Sequence, residues 1–270
     1  MSLKTIRINP GDRAYILDGN ENGYGCGTIN NDGHLYLIDK NNGEARMLPD
    51  HYARTPICLL PSCGGYKDGR IMVSMLGELD LQYHHNEFAA AGLWGWIDIE
   101  GKEIIPPQFV FAKHFTNERA VVCRGTWSVD GMGRYWCEKE EWGIIDPQNR
   151  ELIPCRYDAL SEIENTQRYV FCHKGGWKTG CNCIYDVDLQ REILNLDFNF
   201  DNGYMFNRCL FMDNCIIFDE HIPGGEMDYI YIYSIIEEKW VKYQEPYRER
   251  EYNGQRRIVV HKDGEELIVF

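Results

Sequence analysis

The chain lacks the features that would place it in a membrane, on a nucleic acid or in a common enzyme class. No apolar run approaches the roughly 18 residues that a spanning helix needs. The opening residues Met1-Ser2-Leu3-Lys4 run into strand-like sequence with no apolar leader segment. Both points lead to the expectation of a cytoplasmic chain without a membrane partner. Positive charge is in deficit: 28 Lys and Arg face 42 Asp and Glu, a formal net charge of −14. General attraction to a phosphate backbone then has the wrong sign, so no nucleic-acid partner is expected. Helical periodicity is nearly absent, and Asp158 to Thr166 has room for one helical turn at most. There is no Gly-x-Ser-x-Gly elbow, no P-loop and no His-Glu-x-x-His. A non-enzyme is expected, and a hydrolase with carboxylates gathered in a channel has no spacing support.

Metal and cofactor signals are equally thin, and neither is expected. The 11 cysteines form no Cys-x-x-Cys framework. Cys181 and Cys183 lie two apart and would share one face of a strand, but one pair does not make a tetrahedral zinc site. Reduced, mostly buried thiols are the expectation. Asp18-Gly19-Asn20-Glu21-Asn22-Gly23 matches the first half of a calcium loop, yet Ile29 stands where a bidentate acid is required, so a polar hairpin turn is expected. The run His84-His85-Asn86-Glu87 places adjacent histidines on opposite faces of any strand, which suits a surface loop. Gly23-Tyr24-Gly25-Cys26-Gly27 has no helix after it to hold a phosphate and is expected to be a flexible turn. Arg248-Glu249-Arg250-Glu251 is expected to be a solvated loop.

What the chain does have is strand-forming residues, with 17 Tyr and 7 Trp, in short segments between Gly, Asn, Asp and Pro clusters. One anchor occurs twice. Trp94-Gly95-Trp96-Ile97-Asp98 is followed by Gly101-Lys102-Glu103-Ile104-Ile105-Pro106 and Phe109. Trp142-Gly143-Ile144-Ile145-Asp146 is followed by Asn149-Arg150-Glu151-Leu152-Ile153-Pro154 and Tyr157. Looser copies run from Leu35-Tyr36-Leu37-Ile38-Asp39 and from Asn182-Cys183-Ile184-Tyr185-Asp186. Tyr231-Ile232-Tyr233 with Lys239-Trp240-Val241 is a fifth, degenerate hairpin. A second marker, Arg before an apolar triplet, begins at Arg13, Arg70, Arg119, Arg168, Arg208 and Arg257, roughly every 49 residues.

Residues Gly92 to Phe109 and Glu141 to Asp158 resemble the WG-repeat (KWG-repeat) family. Its consensus runs Gly-x-Trp-Gly-(Tyr/Phe)-Ile-Asp-x-x-Gly-x-x-(Val/Ile)-Ile-Pro-Pro-x-(Tyr/Phe)-Asp. Two strong copies extend over about 92–124 and 141–173. The resemblance implies β-hairpin repeats in bacterial proteins, mostly of unassigned function, with no general catalytic set.

The anchor's residues explain themselves physically. Extended, Trp94, Trp96 and Asp98 point to one face and Gly95 and Ile97 to the other, so both faces are bulky and the strand belongs in a stack of sheets. Gly95 leaves room for the backbone or ring of a neighbouring unit. Asp98 is placed to bond N–H groups two residues on, and Gly101 or Asn149 supplies positive φ. Units of this length fit a propeller blade. The expected architecture is all-β, one β-repeat domain over residues 1–270. It is a six-bladed β-propeller or propeller-like toroid, closed by pairing the N-terminal Leu3-Lys4-Thr5-Ile6-Arg7-Ile8 with the C-terminal strands. An open β-solenoid of hairpins is the alternative.

Function is then sought where the repeat rule breaks. Gly125 to Glu140 inserts between a marker strand and the next Trp-Gly hairpin, where an extra β-hairpin capping the core is expected. It carries Trp127, Asp130, Arg134, Tyr135 and Trp136, and the next unit offers Trp177 in the equivalent connection. Aromatics with Arg and Asp dominate binding hot spots. The expected role is a protein- or peptide-binding or scaffolding module acting as a monomer. The alternative is a carbohydrate-binding module whose loop tryptophans stack on sugar rings.

Overall fold

The computed structural model describes residues 3–16, 23–30, 32–52, 65–75, 92–132, 135–163, 165–175, 181–196, 209–212, 214–220, 229–243, 247–252, 255–262 and 265–268. Every regular element among them is a β-strand, and all pairings are antiparallel. The Asp18–Gly23 turn, except Gly23, and His84–Glu87 lie outside the described residues. The chain forms two compact units, Met1–Tyr157 and Asp158–Phe270.

The first unit holds three sheets. In the first, β1 (Lys4–Arg7), β2 (Ala14–Ile16), β3 (Tyr24–Ile29), β4 (Tyr36–Asp39) and β5 (Glu44–Met47) lie in the order β1-β5-β4-β3-β2. The second runs β6 (Gly65–Lys67), β7 (Arg70–Met75), β8 (Leu93–Ile97), β9 (Glu103–Phe109). The third runs β10 (Phe111–Ala112), β11 (Ala120–Val129), β12 (Tyr135–Ile145), β13 (Glu151–Tyr157). In the second unit, the fourth sheet runs β14 (Ala159–Glu162), β15 (Tyr169–Lys174), β16 (Cys181–Asp186), β17 (Arg191–Leu196). The fifth runs β18 (Cys209–Met212), β19 (Cys215–Glu220), β20 (Tyr229–Ser234), β21 (Lys239–Tyr243). The sixth has β22 (Tyr247–Tyr252), β23 (Gln255–Lys262) and β24 (Glu265–Ile268).

Several expectations are corrected. The N-terminal strand is taken up in its own sheet: β1 zips onto β5, Lys4 opposite Met47 and Arg7 opposite Glu44. Ile6 and Ile8 thereby join Ile29, Tyr36, Ile38 and Ala45 on one apolar face, a burial available within the first sheet itself. Gly23–Gly27 is not a free turn, since Gly25, Cys26 and Gly27 are buried in β3. Arg248–Glu251 is not a loop but lies within strand β22, while Asp158–Thr166 holds no helical turn among the described residues and contains strand β14. The arginine marker sits at or in the second strand of its sheet for Arg70, Arg119, Arg168 and Arg257. Arg13 and Arg208 instead precede the first strand of a meander, so those two matches are out of phase.

The double-faced anchor strand is as the alternation requires. Trp94 and Trp96 enter one core with Phe109, Phe115, Val122 and Ile145, between the second and third sheets. Ile97 enters another with Leu37, Leu48, Tyr52 and Ile71, between the first and second. In the second unit Tyr169, Phe171 and Ile184 pack on Ile216, Tyr231 and Tyr233. Trp96 is 1% exposed, with the Phe115 and Phe109 rings 5.0 and 6.2 Å away. Its indole N–H has no acceptor among the described residues. Trp96→Phe removes that donor and keeps most of the packing. Its expected cost is under about 1.5 kcal/mol, against about 3–5 kcal/mol for truncation to alanine, read by chemical denaturation.

The anchor aspartate builds its turn in the two strong copies and the two looser ones that begin at Leu35 and Asn182. Asp98 Oδ1 accepts from the N–H of Glu100 and Lys102, and Asp146 Oδ1 from Gln148 and Arg150, at 2.8–3.0 Å. Asp39 accepts from Asn41, and Asp186 from Asp188 and Leu189. Gly101 and Asn149 hold the expected positive φ, 81° and 61°.

Candidate functional site

The Gly125–Glu140 stretch is a β-hairpin, as expected of it. It is the continuation of two paired strands, which run to 10 and 11 residues in β11 and β12 against 6 and 5 in β7 and β8. β10 pairs only up to Cys123, and β13 covers β12 only from Trp142 onward. Beyond a register shift between Arg124 and Thr126, Thr126–Val129 and Tyr135–Glu138 form a two-stranded ribbon with no further strand on either edge among the described residues. Lys139, at φ 53°, marks the irregularity on the β12 side.

The ribbon is fixed at its base by aromatic contacts. Trp127 Nε1 donates to the Gly92 carbonyl at 3.1 Å, and its ring meets Phe111 edge-on at 5.2 Å. Phe111 stacks on Trp142, centroids 5.7 Å apart and planes 4° from parallel. Trp142 Nε1 in turn donates to Glu140 Oε2 at 3.1 Å. The result is a half-buried strip, Trp127–Phe111–Trp142, bordered by a carboxylate. Ser128 Oγ donates to Glu138 Oε1 at 2.8 Å across the ribbon.

The expected site residues are dispersed by this geometry. Trp127 faces Cys137 in the register and Trp136 faces Ser128, one step along, so the two tryptophans project from opposite faces. Trp136 is 50% exposed and Met132, near the tip, 74%. Asp130 Oδ1 accepts from the Met132 N–H at 2.8 Å and shapes the turn. Tyr135 pairs with Val129 through the backbone. Arg134 and Trp177 lie outside the described residues. Sequence reasoning missed Phe111 and Trp142: the first follows Phe109 at strand-face spacing, and the second was absorbed into the scaffold.

The thiols near the strip are kept protonated. Burial, reinforced by Glu140, pushes Cys137 up to about 11 and raises Cys123 as well. Cys155 is also pushed up to about 11, first by burial. Among the described residues no three His, Cys, Asp or Glu side chains converge as metal ligands do. No described helix is long and apolar enough to cross a membrane. A separate open cleft of about 710 Å³ on the first sheet is lined by Arg7, Asn9, Asp39, Lys40 and Asn42 over Ile16 and Ile38. Its mixed charges select no one ligand class. What the ribbon and strip offer chemically is clustered aromatic rings, carboxylate acceptors and strand edges unpaired among the described residues.

No curated protein matches the chain. Among solved structures, the dihydro-heme d1 dehydrogenase NirN in complex with DHE is similar at 18% identity and a TM-score of 0.37, over 71% of this chain. The chain spans only 39% of that protein. The β-propeller domain of the Trilobed protease from Pyrococcus furiosus is similar at 10% identity over 95% of this chain and 70% of that one, TM-score 0.34. A putative TolB from Agrobacterium tumefaciens is similar at 8% identity over 86% and 80%, TM-score 0.32. Superpositions this loose carry no argument about activity. The sequence anchors are more specific, because the WG containing repeat matches residues 94–125 and again 142–177. The chain therefore carries two copies of the WG containing repeat.

Proposed function

We propose that the chain is a non-catalytic binding module whose ligand is a protein or peptide and whose contact element is the β11–β12 ribbon. The observation that supports this most is the ribbon itself. It leaves the body of its sheet with both edges unpaired among the described residues, and it carries Trp136 and Met132 largely exposed. Unpaired strand edges accept an extended chain through main-chain hydrogen bonds, and exposed aromatics supply the anchors. The six sheets serve as blade-like units of a propeller-type repeat, each built on an antiparallel meander of three or four strands, with β1 added beside β5 in the first. The repeat scaffold carries the ribbon, and chemistry is left to the partner.

One observation favours the sugar-binding reading: the Trp127–Phe111–Trp142 strip gathers three half-buried aromatic rings, and a tryptophan face stacks on a pyranose ring. The two faces separate the readings. The full chain is screened against a random-peptide display library and a glycan array. Selected peptides are expected to lose about tenfold in affinity, or more, with Trp136→Ala. Glycan binding abolished by Trp127→Ala and untouched by Trp136→Ala would replace the peptide reading with the carbohydrate one.

A further inference from the structure

We propose that Cys172 and Cys183 form a reversible disulfide across the fourth sheet, loaded by thiol–disulfide exchange that enters at Cys181. The strand register carries the proposal. In the β15–β16 ladder Cys172 stands directly opposite Cys183 and Lys174 opposite Cys181, with no irregularity between them. The Val187 N–H donates to the Arg168 carbonyl at 2.8 Å at the other end of the ladder. Alternation from that bond makes Cys172 and Cys183 a hydrogen-bonded pair, whose Cα atoms are about 5.5 Å apart. That separation lies within the roughly 4.4–6.8 Å of a disulfide, and the bridge closes once the two strands bring the Cβ atoms, about 5.5 Å apart in such a pair, about 1 Å nearer. Both residues carry unbridged thiols here. No other cysteine faces a cysteine in the described ladders: Cys26 faces Leu37, Cys123 faces Trp142, Cys137 faces Trp127 and Cys215 faces Met212.

The same register supplies a route in. Cys172, Lys174, Cys181 and Cys183 occupy alternate positions of facing strands and so share one face. Cys172 and Cys183 are fully buried, whereas Cys181, at the start of β16, is partly exposed. The Lys174 ammonium, held by Glu192 at 2.6 Å, is within electrostatic reach of both Cys181 and Cys183. The oxidant is a low-molecular-weight disulfide of the glutathione class. The Cys181 thiolate attacks one of its sulfurs; an S–S bond forms to Cys181, and the other half leaves as a thiolate that takes up a proton. Cys183 attacks the Cys181 sulfur and expels the second small thiolate, a step for which β16 must open at Asn182, because residues two apart on an extended strand stand about 6.7 Å apart. Cys172 then attacks the Cys183 sulfur and expels the Cys181 thiolate, which recovers a proton. Two cysteine thiols have lost two electrons and two protons, and the small disulfide has gained them as two thiols.

The test uses the full chain incubated with oxidised glutathione, then alkylated and mapped by mass spectrometry without denaturant during oxidation. The expected result is the loss of two hydrogen atoms and a cross-linked peptide joining Cys172 to Cys183, reversed by dithiothreitol. Cys181→Ser is expected to slow formation of that bridge by about tenfold while leaving its end point unchanged. Cys172→Ala is expected to leave the oxidation at Cys181, as a glutathione adduct or a bridge to Cys183. Thermal unfolding of the oxidised chain shifts upward relative to the reduced one. Mapping on the unmodified chain decides the matter even if a variant fails to fold. A Cys172–Cys183 peptide that forms only once denaturant is added, or oxidation that settles on other cysteines while the sheet stays native, overturns the proposal.

Discussion

Gly95→Ala is expected to destabilise the first unit by about 3 kcal/mol, the upper range for forcing atoms into a packed site. The corresponding fall in melting temperature is about 6–12 °C. The reason is not the one that the Trp-Gly pattern suggests. A Cβ on Gly95 would lie 2.5 Å from the Ile105 carbonyl oxygen, 2.6 Å from the Pro107 nitrogen and 2.8 Å from the Pro106 carbonyl carbon. These are backbone atoms of β9, the next strand of the same sheet, at the point where the β8–β9 register shifts. No side-chain rotation relieves the clash. Gly143 repeats the arrangement, with the Ile153 oxygen at 2.7 Å and the Cys155 nitrogen at 2.8 Å. Gly143→Ala is the parallel test. Gly131→Ala, where an added Cβ meets nothing within 4 Å, is the internal control and should change stability by less than about 0.5 kcal/mol. Equal effects at Gly95 and Gly131 in differential scanning calorimetry would refute the account.

The second large effect lies at Asp186. The side chain is almost completely buried, and it accepts from Arg168 Nε at 3.0 Å and Nη2 at 2.8 Å and from the N–H of Asp188 and Leu189. Asp186→Ala strands those two N–H groups and leaves the Arg168 fork with only Asp188, 3.5 Å away. A loss of about 3 kcal/mol at neutral pH is expected. Burial alone pushes this carboxyl up. The Arg168 guanidinium and the two N–H donors outweigh burial and hold it below the ordinary carboxylate range. A carboxyl depressed in the folded state contributes stability above its unfolded value, near pH 4, and loses it as pH falls through the folded one. The gap between the unmodified chain and Asp186→Ala should therefore be constant from about pH 7 to 5 and close progressively below about pH 4. Urea titrations across that range measure it, and a gap that persists undiminished at the acid end contradicts the assignment.

The hairpin chemistry was legible because it is local. Asp98 and Asp146 reach N–H groups two and four residues on, and Gly101 and Asn149 need a positive φ of their own, so short-range sequence carries the information. Stacking on both faces followed from Trp96 and Ile97 pointing opposite ways. The partner of β1 was not legible: an unpaired edge recruits a strand by burial, and Ile6 suits the edge of β5 as well as it would suit any other. A hairpin at Gly125–Glu140 was legible, but its continuity with β11 and β12 was not, because Gly125 punctuates a strand that in fact continues. The dispersal of Trp127 and Trp136 follows from single-residue parity, which cannot be assigned until the register is known. The facing of Cys172 and Cys183 is hidden for the same reason, since it depends on how the β15–β16 hairpin closes.

The two repeat copies are out of phase with the sheets. Residues 94–125 take in β8 and β9 of the second sheet and β10 with part of β11 of the third, and residues 142–177 straddle the third and fourth sheets in the same way. No single copy encodes a finished sheet; each supplies the closing strands of one and the opening strands of the next. For a gene that grows or shrinks by unequal crossing-over within such copies, every junction falls in mid-sheet. A gained or lost period then adds or removes one sheet's complement of strands and leaves no half-sheet behind. The stagger gives this scaffold a modular length without a weak point at the seams of its own duplication.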